Sequence, residues 1–86
     1  MKKKYAVGTV LLITWFDAWR EPLESVSPEM LGETKLVLQD IGFFIKQSNG
    51  YISIAEERTP GEEDFRHVHH IPIVNIEKIE DLGLWD

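Results

Sequence analysis

The chain has 86 residues, no cysteine and a formal charge of −6. That length builds one domain, residues 1–86, with a modest core and no disulfide to support it, and the missing thiols fit a reducing compartment. Three of its nine basic residues are Lys2, Lys3 and Lys4, so the remainder is more acidic still and lacks the clustered cations that duplex nucleic acid requires.

The first element lies within Tyr5–Arg20, YAVGTVLLITWFDAWR. Val10-Leu11-Leu12-Ile13 has no polar break, and Thr9, Val10, Ile13 and Thr14 are β-branched, which predicts a strand buried on both faces. Lys2–Lys4 before an apolar run imitates a signal peptide. No small-residue cleavage site follows, however, and the run is shorter than the about 20 apolar residues a bilayer needs. The expectation is a cytoplasmic protein without membrane contact.

Glu21-Pro22 breaks regular structure, and Ser27-Pro28-Glu29 reads as the start of one short helical turn that Gly32 ends. The strand-like runs Thr34–Ser48 and Tyr51–Arg58 flank Asn49-Gly50, the preferred pair for a two-residue type I′ turn. This turn sets Ser48 against Tyr51, Gln47 against Ile52 and Ile45 against Ile54. Phe43, Ile45, Ile52 and Ile54 then share the core face, with Phe44, Lys46, Tyr51, Ser53 and Ala55 on the other. Gly42 marks a bend or bulge in the first of these strands.

After the acidic loop Thr59–Asp64 comes a strand over Phe65–Val74, with Pro72 placing it at an edge or a break. Ile76, Ile79 and Leu82, three apart, suit a short helical turn into a last strand or a C-terminal helix. The sum is a mostly-β fold: a small SH3-like or Sm-like barrel of about five strands with a short helical turn in its first long loop. So small a barrel without disulfides is expected to self-associate as a homo-oligomer.

Two groups carry candidate chemistry. His67 and His69 are two apart on a strand and share a face, where imidazoles can approach one metal or bind an anion. Nothing in the sequence supplies the remaining fixed ligands of a zinc site, so no metal is assigned. Trp15-Phe16-Asp17-Ala18-Trp19-Arg20 can stack a base and contact a phosphate, although Trp15 and Phe16 also read as core and Asp17 as a turn cap. There is no glycine-rich phosphate loop, no G-x-S-x-G and no cysteine nucleophile, so no catalytic residue, cofactor or enzyme activity is expected. The ligand-binding candidates are Trp19, Arg20, Arg58, Arg66, His67 and His69.

The segments W-F-D-A-W, D-I-G-F-F-I-K, Y-I-S-I-A and I-P-I-V-N-I-E-K-I-E-D-L together resemble a group of small uncharacterised phage and prophage proteins. In these, a Trp-x-Asp-Ala segment, a Gly-aromatic strand and a terminal Ile-Pro…Ile…Ile…Leu segment recur. The matching positions are Trp15, Asp17, Ala18, Gly42, Phe43, Ile71, Pro72, Ile76, Ile79 and Leu82. The resemblance implies a phage-encoded protein of the host cytoplasm and brings no catalytic residues. With the residue reading it gives a leading expectation: a non-enzymatic module binding a small nucleotide-like anion, in the manner of sequestering a host immune nucleotide signal. The rival is a structural or protein-interaction component of a phage or prophage, marked by an exposed apolar patch including Phe44, Tyr51 or Trp85. A metal-dependent hydrolase on the histidine strand is the third reading.

Overall fold

The computed structural model describes residues 4–17, 36–62 and 64–84. They form five strands, β1 (Thr9–Asp17), β2 (Leu36–Ser48), β3 (Tyr51–Arg58), β4 (Phe65–Pro72) and β5 (Ile76–Leu84), with a 3₁₀ turn over Ile73–Asn75 before the last. All pair antiparallel in one sheet of order β4-β3-β2-β1-β5. The fold is mostly β, as the sequence predicts, but no ladder joins β4 to β5 among the described residues, and the sheet is not closed into a barrel. The expected helical turn at Ser27–Gly32 lies outside the described residues, as does Trp85.

A two-residue turn forms at Asn49-Gly50, but only Gly50 has positive φ, 84°, so it is not the expected type I′ turn, which needs positive φ at both central residues. Ser48 faces Tyr51 and Gln47 faces Ile52. Beyond that the register departs from strict alternation. Lys46 faces Ser53 and Phe44 faces Ile54, so Ile45 is an extra residue on β2. A β-bulge of this kind puts two residues opposite one and reverses which side chains point inward from there on. Phe44, not Phe43, therefore enters the core, while Phe43 and Ile45 stay half-buried.

Gly42 is not the bulge, and its requirement is different. A Cβ at this position would lie 2.6 Å from the carbonyl oxygen of Ala55, closer than any side chain tolerates. Glycine here lets β2 press against β3 while Leu11 of β1 pairs with it from the other side.

Leu11, Ile13, Ile52 and Ile71 are fully buried, and Trp15, Phe44 and Ile54 complete the core cluster. Burying each such side chain contributes about 1.5–3 kcal/mol. Tyr5, Leu38, Ile73, Ile76 and Ile79 pack around the margin, and the Tyr5 ring lies 5.7 Å from that of Phe44. β1 is not buried on both faces as its unbroken apolar run suggests. Leu11, Ile13 and Trp15 point inward, whereas Val10, Leu12 and Phe16 are only half-covered on the outer face.

The sheet is strongly coiled. Val10, Phe43, Ala55 and Val68 stand in one row across β1, β2, β3 and β4. On a flat sheet Trp15, five residues along β1 from this row, and His69, one residue from Val68 in the opposite direction, would be about 25 Å apart. Their ring centroids are 5.6 Å apart. The inner face thus meets itself across an open cup.

Gly42→Ala is expected to destabilise the domain by about 1–3 kcal/mol, the usual cost of forcing an extra group into a packed interior. Urea unfolding checks this, and a change below about 0.5 kcal/mol would show that β2 and β3 do not need their close approach.

Candidate functional site

Two arrangements of side chains combine chemistry with access. The first is inside the cup. The Trp15 indole N–H donates to Asp40 Oδ2 at 2.5 Å, and His69 Nδ1 lies 3.3 Å from Asp40 Oδ1. The His69 ring meets Trp15 edge to face. Three strands contribute: β1 carries Trp15, β2 carries Asp40 and β4 carries His69. Both Asp40 and His69 keep part of their surface in water, the carboxylate being 31% and the imidazole 45% exposed. The cluster ties the β1–β2 ribbon to the edge strand β4 across the cup's opening. Among the described residues no buried side-chain polar atom is left without a partner.

The second is on the outer face. Val10, Ile41, Gly42, Phe43 and Glu56 line an open groove of about 310 Å³. Strand alternation produces it. Val10 pairs with Phe43, Leu12 with Ile41 and Phe16 with Val37, so apolar residues of β1 and β2 stand side by side. The polar pair among them, Thr14 and Gln39, is satisfied internally, Gln39 Nε2 donating to Thr14 Oγ1 at 3.1 Å. Ile41 is 58% exposed and Val37 51%. Gly42 lines the groove with its backbone alone. Arg58 lies beyond it with its guanidinium 5.1 Å over the Phe43 ring, a cation–π contact. Glu56 is exposed and makes no ion pair or hydrogen bond among the described residues.

Among the described residues, the side chains expected to bind a ligand do not gather into one group. Trp19 and Arg20 lie outside the described residues. Arg58 is over Phe43. Arg66 Nε is 3.4 Å from Glu57 Oε1, and His67 Nε2 is 3.8 Å from the same oxygen, all exposed at the β3–β4 edge. His69 turns instead to Asp40, so the two histidines share a strand but serve different carboxylates. The reason is in the backbone. His67 has φ 57°, the left-handed region that a non-glycine residue rarely adopts, and this breaks the alternation that would have aligned it with His69. His70 shares a 2.7 Å hydrogen bond with the buried Ser53 hydroxyl on the outer face. No group of three His, Cys, Asp or Glu side chains among the described residues converges as a metal site. Phe44, named as part of an exposed patch, is buried instead, 6% exposed, whereas Tyr51 is 48% exposed. Asp17 ends β1 opposite Leu36, and the turn it was expected to cap lies outside the described residues.

Asp40, Val10, Ile41 and Glu56 were not singled out by the sequence. Val10 reads as core in an apolar run, and Ile41 and Asp40 carry no motif; only the register that places Asp40 beside Ile13 brings it into the cup. Among the described residues no helix is long and apolar enough to cross a membrane. Comparison with protein-family models, with curated proteins and with solved structures finds no match.

Trp15→Phe and Asp40→Ala should show a coupling of about 1 kcal/mol in a double-mutant cycle followed by urea unfolding, as expected for a hydrogen bond to a partly solvated carboxylate. Strict additivity of the two changes would mean that the indole–carboxylate bond adds nothing to stability.

Proposed function

We propose that this chain is a non-enzymatic interaction module that docks a segment of a partner protein on the outer face of β1 and β2. The carrying observation is the groove over Val10, Ile41, Gly42 and Phe43, flanked by the exposed Val37. Isolated apolar residues on a surface are ordinary, but an apolar groove continuous across two paired strands is the usual mark of a docking site. We read the coiled five-stranded sheet, with its 3₁₀ turn before the last strand, as an open form of a small SH3-like or Sm-like barrel. The resemblance to small phage proteins suits a component that works by contact with host or phage proteins, in the cytoplasm of the infected cell and with copies of itself where the edges of the sheet allow.

A nucleotide-like anion is the second reading, and one observation favours it: Arg58 and the Phe43 ring pair a guanidinium with an aromatic face next to the groove. Against it, the free charge in the groove wall is the carboxylate of Glu56, which repels an anion, and Arg66 is against Glu57. The protein-docking reading is therefore preferred.

The two are separated by amide chemical-shift mapping of the full chain with a random-peptide pool in one arm and linear and cyclic nucleotides in the other. Peptide-dependent shifts at Val10, Leu12, Ile41 and Phe43, lost in Ile41→Asp, are the expected result. Ile41→Asp should leave stability within about 0.5 kcal/mol because the side chain is already exposed. A nucleotide that shifts these resonances and those of Arg58, with no response to peptides, would replace the docking reading by the anion reading.

A further inference from the structure

Resting on the docking reading, we infer that the segment recognised by the outer groove carries an aliphatic side chain with a lysine or arginine beside it. The groove supplies both halves of that requirement. Its floor and one wall, Val10, Ile41, Gly42 and Phe43, are apolar and offer no hydrogen-bond partner from a side chain. Such a surface gains from covering an aliphatic group and loses from covering a polar one.

The remaining wall is Glu56. Glu56 is exposed, has no partner among the described residues, and lines the groove beside its apolar residues. The neighbouring charges are engaged. Arg58 sits over Phe43 and Glu57 holds Arg66 and His67. Glu80, which pairs in register with Leu12 on the far side, lies 3.5 Å from Lys78. Glu56 is thus the charge left for an incoming group, and its sign selects a cation.

The whole molecule reinforces the choice. A chain of formal charge −6 attracts cationic segments at long range and repels acidic ones, which raises the encounter rate of the former and suppresses the latter. A lysine or arginine also suits the geometry chemically. Its alkyl stem extends over the apolar floor while its charged end reaches the carboxylate. A neutral or acidic neighbour would leave Glu56 unpaired at a newly covered rim, which is the costly outcome.

The test is a random-peptide display selection on the immobilised full chain, run in parallel on wild type, Glu56→Lys, Glu56→Gln and Ile41→Asp. All four should unfold at similar urea concentrations, since both positions are exposed. The wild-type pool should be enriched in Lys or Arg next to an aliphatic residue. The tightest peptide should lose at least tenfold in affinity for Glu56→Lys and an intermediate amount for Glu56→Gln, and raising the salt concentration should weaken the wild type more than Glu56→Gln. The Glu56→Lys pool should turn toward Asp and Glu. Aliphatic peptides without charge preference, still lost in Ile41→Asp, would overturn the inference and leave the docking reading standing. Pools that do not change in Ile41→Asp, or no enrichment on wild type, would overturn both.

Discussion

The architecture depends on how β2 fits between β1 and β3 within a few residues. At Gly42 it must lie so close to the Ala55 carbonyl that no Cβ can be present. Three residues later the Ile45 bulge resets which side chains face inward. Between them the strand bends, and the local twist that a bulge adds coils the whole sheet. Without the close approach, β1 and β4 would remain three strands apart and the inner face would open to water. Without the bulge, Phe44 would point outward and Phe43 inward, leaving the cluster of Leu11, Ile52, Ile54 and Ile71 without the ring that packs against Tyr5.

Coiling has a polar consequence. It brings Asp40 into the cup, where a carboxylate would be costly unless it were bonded. The Trp15 N–H donates to one of its oxygens, His69 Nδ1 lies 3.3 Å from the other, and its residual exposure keeps it in contact with water. Trp15 thereby serves two ends. Its ring is part of the core, and its nitrogen fixes the one charged group that the core face of β2 presents beside Ile13. The edge strand β4 gains an anchor to β1 and β2 that its ladder with β3 does not supply. At its other end the left-handed His67 interrupts the exposed edge, which makes that edge a poorer template for adding another strand.

Much of this was legible in the residues. Asn49-Gly50 gave the turn and the first two pairs of the hairpin because its conformational demand is local. The span Tyr51–Arg58, the placing of Pro72 at an edge strand and a short helical turn leading into a last strand follow from residue type in the same way. What alternation alone could not reveal was the bulge. Phe43, Phe44 and Ile45 are all apolar, so either frame satisfies the hydrophobic pattern, and the choice between them rests on packing with β1 and β3. The same ambiguity hid the groove. Val10-Leu11-Leu12-Ile13 reads as buried on both sides, and only the absence of a covering layer on one side distinguishes a core residue from a surface one. The histidines misled for a related reason: spacing along a strand implies a shared face only while the backbone stays extended, and His67 does not.

The uncovered face can be weighed against what folding alone would select. A domain of this size has little stability to spare, and moving Ile41, Val37 and Leu12 to the inside of a larger core would raise it. Replacing them by threonine or lysine would serve solubility equally well on a strand exposed to water. Neither substitution has been made here. Instead the apolar strip is kept, and its neighbourhood is charged: Glu56 in the wall, Glu80 and Lys78 on β5, and Glu57 and Arg66 at the other border. Charges around an apolar strip discourage indiscriminate association, because any partner that covers the strip must also satisfy or avoid them. An apolar surface retained at some cost and fenced by ionised groups, one of them unpaired among the described residues, is better accounted for by recognition of a specific segment than by the requirements of the fold.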